Sequence, residues 1–226
     1  MGAGSNMSDM QVYLLSIRGT LASPIVETSR QIHNETAGSP EGVAAAKSLG
    51  DLSHMVYTPM DGSNGFLILD AWNSVDGLNQ FFANPHVQEQ AGQIFAQRDP
   101  VIWQSAEGFI SYHLPAPYGK NDRFVGIVRG MLPSIEDGKR VHNALVSKFI
   151  NKARSRGNLS HQAYLRLAAP GTPEALEFFA IDTWMDAEGM GQHYNEPDFR
   201  AAFGDLFAGM PDASVWAHPA GAWVEW

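Results

Sequence analysis

The sequence predicts an α+β fold in which two β-α-β-β-α-β units follow one another in a single chain and pack sheet against sheet. Three observations predict it. Leu52-Ser53-His54 with Tyr57 returns as Leu159-Ser160-His161 with Tyr164, an offset of 107 residues from His54 to His161. The run "DAWNSVDGLNQFFANP" returns as "DTWMDAEGMGQHYNEP", with Trp72 matched to Trp184 at an offset of 112. Shorter matches flank both: Arg18-Gly19 with Arg129-Gly130, Ile32-His33-Asn34 with Val141-His142-Asn143, and Trp103 and Gly108 with Trp216 and Gly221. Self-similarity at a fixed period signals a duplicated unit, here of roughly 105 residues.

Each unit reads the same way along the chain. Residues 12–21 and 124–132 are short, β-rich runs ended by Gly or Pro signals. Residues 24–49 and 133–156 turn helical in their later part and stop before Gly50 and Gly157. "AGSPEG" at 37–42 breaks the first of these helices. The repeated "LSH" phrase is the second strand, followed by a turn and a third strand, "FLILDAW" or "FFAIDTW". Ser74 and Asp186 are set to cap a second helix, which Pro85 and Pro197 interrupt or restart. A last strand is expected near 101–112 and 214–226. The order is that of the ferredoxin-like unit. The units then span 10–113 and 123–226, joined by a linker at 114–122, and residues 1–9 read as a disordered or vector-derived leader with a native start at Met7.

Composition narrows the function classes. The chain of 226 residues is 44% hydrophobic and 17% charged, enough apolar content for a packed core. Fifteen Lys and Arg against 24 Asp and Glu give a net charge of −9, with no basic patch, which argues against nucleic acid or an anionic membrane as partner. The absence of cysteine removes disulfides, thiolate metal sites, iron–sulfur clusters and a Cys nucleophile. No secretory h-region and no run of about 20 apolar residues is visible, so a cytoplasmic location is expected. Phosphate-loop, dinucleotide, zinc-protease and nucleophile-elbow motifs are all missing, and no metal cluster is legible from the spacing of the eight histidines.

The candidate chemistry sits on the repeated hairpin. A turn centred near Gly62 places His54 opposite Asp70, and one centred between Gly171 and Thr172 places His161 opposite Asp182. Trp72 and Trp184 then lie two residues further along the same face, while Leu52, His54 and Val56 share a face by alternation. A histidine beside a carboxylate is held in one tautomer and made more basic, as a general base requires, and the indole would stack on an aromatic ligand. The same pair also serves, on a second reading, as a structural clamp of the hairpin. His33 and His142 are expected on the helix that covers this face. Arg18 and Arg129, ending the first strands, are candidates to hold an anionic or phenolate group.

The "LSH" strand, the D-x-W strand end and the following helix with Gly and Pro at fixed spacing resemble the antibiotic-biosynthesis-monooxygenase superfamily of dimeric α+β barrels. The resemblance covers nearly all of each unit and implies an intrachain version of that barrel. It implies a cofactor-independent monooxygenase-like activity on a small aromatic or quinol-type molecule, with no bound metal. A non-catalytic, ligand-binding tandem barrel is the alternative. In haem-degrading members a strand Trp and a helix His serve the haem, and Trp184 with His193 resembles that pair; the accompanying first-strand Asn is absent from "FVGIVRGML". The Asn found four residues before the strand Trp in the cofactor-free oxygenases is replaced here by Ile68 and Ala180. A homodimer of the whole chain is a further expected partner arrangement.

Overall fold

The computed structural model describes residues 11–113 and 123–226. The expected leader and the expected linker therefore lie outside the described residues. Unit one runs β1 (Tyr13–Leu21), α1 (Val26–Glu35), α2 (Pro40–Ser48), β2 (Asp51–Pro59), β3 (Gly65–Trp72), α3 (Val75–Ala83), α4 (Pro85–Ile94), β4 (Phe95–Ser105) and β5 (Tyr112–His113). Unit two runs β6 (Phe124–Met131), α5 (Ile135–Ser155), β7 (Asn158–Arg166), β8 (Glu177–Trp184), α6 (Ala187–Tyr194), α7 (Pro197–Gly204) and β9 (Asp212–Ala217). This is the α+β, two-repeat arrangement that the sequence predicts. No described helix is long and apolar enough to cross a membrane.

Local signals place the elements. Ser74 accepts from the Gly77 N–H and Asp186 from the Glu188 and Gly189 N–H groups, capping α3 and α6. Pro85 and Pro197 each begin a new helix, where the missing N–H costs nothing. The 37–42 break is real in unit one: α1 and α2 are separate, and Ser39 caps α2. Unit two lacks that Pro-Gly insertion and forms one unbroken helix of 21 residues.

The strands are ordered β4-β1-β3-β2-β9-β6-β8-β7-β5, and β4 also pairs with β7, so the sheet closes on itself as a barrel. The two units exchange their last segments to achieve this. At Trp103 and Gln104 β4 pairs with β1 on one side and β7 on the other, reaching Ser105 on β7, and β5 takes up the same edge at His161. In the other direction β9 reaches β2 at Thr58 and Pro59, and the tail then exchanges backbone hydrogen bonds between Trp226 and His54. β4 starts earlier than expected, at Phe95, and both closing strands end earlier, at Ser105 and Ala217; Gly108 (φ +79°) and Gly221 (φ +94°) follow them at matching positions as turns.

Alternation along each strand separates two kinds of core. Inward residues from both units, among them Leu67, Leu69, Trp103, Ile127, Phe179 and Trp216, fill the barrel. Trp103 stacks on Phe179 across the unit boundary with centroids 4.7 Å apart, and its N–H donates to Ser16 at 2.8 Å. Outward residues such as Leu15, Phe66, Ile68 and Trp72 pack under the helices of unit one, as Phe178, Ala180 and Leu206 do in unit two.

One register detail departs from simple alternation. Both "LSH" strands carry a bulge, between Asp51 and Ser53 and between Asn158 and Ser160. The extra residue shifts the facing of what precedes it. Leu52 is consequently exposed rather than on the His54 face, and the buried residue is Asp51.

Because Trp103 is fully buried and joins the two units, Trp103→Ala is expected to cost about 3–5 kcal/mol of stability. Urea unfolding followed by circular dichroism checks it: the midpoint falls sharply, and a loss of unfolding free energy under about 1 kcal/mol would mean that the barrel interior does not carry the fold.

Candidate functional site

The expected cross-strand pairs form. His54 lies opposite Asp70 and His161 opposite Asp182 in the strand register. His54 Nδ1 is 2.7 Å from Asp70 Oδ1, and His161 Nδ1 is 2.6 Å from Asp182 Oδ1. The helix histidines join them: His33 Nε2 is 2.9 Å from His54 Nε2, and His142 Nε2 is 2.8 Å from His161 Nε2. Each unit thus holds an Asn-His-His-Asp chain under its helices, and the doubled His-Asn motif is its outer end.

Asn34 and Asn143 anchor these chains to the tail supplied by the opposite unit. Asn34 Oδ1 accepts from the Val224 N–H at 3.0 Å, and its amide donates to the Ala222 carbonyl at 2.8 Å. Asn143 Oδ1 accepts from the Ile110 N–H at 2.8 Å, and its amide donates to the Gly108 carbonyl at 2.8 Å. Those backbone partners allow only one orientation of each amide. The oxygen therefore faces His33 Nδ1 or His142 Nδ1, both at 3.0 Å, so that nitrogen carries the proton. The helix histidine's Nε2 is then bare and accepts from the Nε2–H of the strand histidine. One proton is left between the strand histidine's Nδ1 and the Asp, so neither ring nitrogen of His54 or His161 is open to a ligand.

Electrostatics follow from burial and these bonds. Burial, then the neighbouring strand histidine, push both His33 and His142 down to about 4, so they are neutral at pH 7. Burial also opposes charge on His54, but the Asp70 carboxylate, its hydrogen bond, Asp51 and Glu225 outweigh it and raise His54 above its ordinary value. Burial works to raise Asp182, yet His161 and the hydrogen bonds from His161 and Tyr194 hold it below the usual carboxylate range. Asp51, bonded through its Oδ1 to the Ser53 N–H at 3.2 Å, is pushed up to about 7 by burial and by the charge of Asp70.

Each chain borders an apolar cavity between sheet and helices. In unit one it is about 610 Å³, bordered by Asp51, His54, Asp70, Trp72, Phe81 and Trp226 among others. In unit two it is about 520 Å³, bordered by Tyr112, Asn158, His161, Asp182, Trp184 and His193 among others. Both fall in the range of small-molecule sites. Trp226 stacks on His54 with centroids 4.5 Å apart and planes inclined by 17°; Tyr112 takes the matching place over His161 at 5.9 Å. Each cavity is therefore completed by a residue from the other unit's tail.

The cavities differ in polar detail. In unit two Trp184 donates to the Tyr194 hydroxyl at 3.2 Å, and that hydroxyl donates to Asp182 Oδ2 at 2.8 Å. Gly126, opposite Asp182, makes room: a Cβ there would stand 2.1 Å from the Tyr194 oxygen. Unit one has Leu15 opposite Asp70 and Phe82 in the place of Tyr194, and the Trp72 N–H is buried without a partner. Trp226 Nε1 is buried too, and it is directed at Asp51, whose charged form it favours.

The structure brings His33, His54, Asp70 and Trp72 together, and likewise His142, His161, Asp182, Trp184 and His193. It does not bring Arg18 or Arg129 to either cluster. They point to the barrel side, where Arg18 pairs with Asp212 and lies 5.6 Å over Trp216, while Arg129 pairs with Asp99 and Glu177 and lies 5.6 Å over Trp103. Strand alternation, which puts residues 16 and 18 on the face opposite residue 15, is the reason. Asp51, Asn158, Tyr112, Tyr194 and Trp226 are site residues that motif reading passes over. The doubled phrase did contain a signal for the first two, the D/N exchange before "LSH".

No family model matches the sequence, and no curated protein matches it. Solved structures match over nearly the whole chain. An anthrone oxidase-like protein superposes with a TM-score of 0.64 at 18% identity, covering 93% of this chain and 92% of its own. A proposed monooxygenase from Fusobacterium nucleatum gives 0.62 at 11% identity over 93% and 94%. A ferredoxin-fold protein from Listeria monocytogenes related to antibiotic biosynthesis monooxygenases gives 0.50 at 9% over 93% and 96%. The fold is thus that of the monooxygenase-like α+β barrels that the sequence resembles.

Two outcomes test the histidine chains. A histidine whose folded pKa lies below its unfolded value loses the native state stability as pH falls from the unfolded pKa to the folded one. His142→Gln is therefore expected to flatten the acid loss of stability between about pH 6.5 and pH 4, measured as urea midpoint against pH, and an unchanged slope would contradict the neutral assignment. Asn34→Ala should cost about 1–3 kcal/mol and increase acrylamide quenching of tryptophan as the tail loosens; unaltered quenching would detach the tail from the site.

Proposed function

We propose that the protein is a cofactor-independent monooxygenase-like enzyme for a small hydroxylated aromatic or quinol-type molecule. One observation carries this reading: an apolar, aromatic-walled cavity of about 610 Å³ that also holds two buried carboxyl groups, Asp51 and Asp70, and two buried indole N–H groups, Trp72 and Trp226. Buried polar groups normally find partners. A flat ligand with both a hydroxyl and an oxygen acceptor would supply them, with Trp226 available for stacking.

The chemistry begins with removal of a phenolic proton by a carboxylate of this cluster. His54 holds Asp70 through a shared proton and, raised above its ordinary value, balances the charge. The resulting electron-rich anion reacts with dioxygen, the co-substrate. When a ring CH₂ becomes C=O, the ring supplies four electrons, one oxygen atom stays and the other leaves as water. The names of the structural neighbours, monooxygenase and anthrone oxidase-like, support the reaction class.

The second reading is a ligand-binding protein without turnover. It is favoured by the engagement of every ring nitrogen of His54 and His161 within the protein, as a clamp requires. For haem, the donor set does not fit. Among the described residues bordering the second cavity, His193 is the one histidine outside the chain and Arg200 the one Lys or Arg; His193 Nδ1 is buried without a partner, but Phe149, Trp184, Tyr194 and Phe199 enclose its ring at 4.4–6.3 Å.

Oxygen uptake with a panel of hydroxyanthrones, naphthols and quinols decides between the readings. The enzyme reading expects consumption above the buffer rate for at least one compound, reduced at least about 100-fold in Asp70→Asn. Binding seen by tryptophan fluorescence with no uptake across the panel would favour the binding protein.

A further inference from the structure

The two units keep the same Asn-His-His-Asp chain but differ at the residue that precedes it, Asp51 in unit one and Asn158 in unit two. Both sit at the bulge of their strand, which turns them toward the helices to border the cavity. Asp51 is 5% exposed; its carboxylate accepts from the Ser53 N–H, and the Trp226 indole N–H lies against it. Asn158 is 1% exposed and fully engaged: its oxygen accepts from the Tyr112 hydroxyl at 2.7 Å, and its amide donates to the Ser160 and Thr183 carbonyls at 3.3 and 3.4 Å.

The partner over each residue changes with it. Tyr112 covers Asn158 with a short hydrogen bond, whereas Trp226 covers unit one with an N–H turned toward Asp51 and favouring its charged form. Unit two also closes its second carboxylate, because Tyr194 donates to Asp182 Oδ2. Asp70 keeps His54 alone among the described residues. Unit two is therefore internally saturated at both places where unit one presents a carboxylate to its cavity.

We propose that Asp51 is the general base of this protein and that proton transfer belongs to unit one alone, with unit two retained as its structural copy. This rests on the enzymatic reading above. The step is one proton: a substrate O–H breaks, its electron pair stays on oxygen as the phenolate, and the proton bonds to the Asp51 carboxylate. Trp226 and Trp72 then offer N–H groups to oxygen as charge develops there. Charged neighbours set the working range. Asp70 and His54 face Asp51 in the cavity wall, and Glu225 lies on the tail against His54. Glu41, His86 and Arg98 border the cavity, and Lys47 lies 6.0 Å from the Trp226 ring. The like charge of Asp70 and burial keep Asp51 near 7, the range in which a general base is useful.

Asp51→Asn tests the assignment without changing shape, since it writes unit two's residue into unit one. Three quantities are read on the full chain: binding of a dihydroxyanthrone by tryptophan quenching, oxygen uptake with it, and the infrared carboxylic-acid stretch between about pH 6 and pH 8. The proposal expects the Kd to stay within about threefold, kcat to fall at least about 100-fold with loss of its rising limb near pH 7, and the acid stretch titrating in that window to vanish. Uptake and pH limb that persist in Asp51→Asn would overturn the assignment and leave the enzymatic reading standing. An acid stretch that titrates with Asp51 and shifts on probe binding, in a protein that turns over nothing, would sink the enzymatic reading while keeping Asp51 as the proton acceptor. If Asp51→Asn unfolds, Asp51→Glu replaces it, and an unmoved pH limb there also overturns the proposal.

Discussion

The structure depends on an exchange of ends between its two halves, held by Asn34 and Asn143. Each asparagine spends its whole amide on the tail of the opposite unit and on the histidine beside it in sequence. That one arrangement does three things. It closes the barrel by holding the exchanged segments, it fixes the tautomer of the helix histidine, and through that histidine it fixes where every proton of the buried chain sits. Removing a partner from such a network leaves a buried polar group unsatisfied, which costs more than the bond itself is worth. A half of this chain would therefore lack both its covering aromatic and the anchor of its histidines.

The buried ion pairs are tolerated for the same reason. His54 is 4% and Asp70 4% exposed, so an isolated charge on either would be expensive. Pairing them, and giving the imidazole a neutral acceptor in His33, spreads the charge over a short path. The price is rigidity: with both ring nitrogens committed, the histidine positions and balances a carboxylate instead of meeting a ligand. The chemistry open to the cavity is then carboxylate and indole chemistry, with the imidazoles behind it.

Much of this was legible in the sequence. The duplication, the order of strands and helices along the chain and the His54–Asp70 and His161–Asp182 registers followed from repeat matching and hairpin geometry, because a turn centre and strict alternation leave little freedom. The caps at Ser74 and Asp186 and the restarts at Pro85 and Pro197 were equally local. What stayed hidden was non-local. The bulge that exposes Leu52 and buries Asp51 breaks the period-two rule within the repeated phrase itself. The roles of Trp226 and Tyr112 depend on strands crossing between units. Arg18 and Arg129 were assigned by residue type, and the pleat sends them to the barrel side instead. The Gly126–Tyr194 and Leu15–Phe82 exchange needs two elements read together, which a single strand or helix cannot reveal.

The most direct measurement of the account is ¹⁵N NMR of the imidazoles at about pH 7, with His33→Gln and His54→Gln used for assignment. The account predicts a neutral His33 protonated at Nδ1, a His54 whose two nitrogens are both hydrogen-bonded, and a strongly downfield proton between His54 Nδ1 and Asp70. A neutral His54 with a bare, unbonded Nε2 would contradict it, because that imidazole would be free to take the proton that the account gives to a carboxylate.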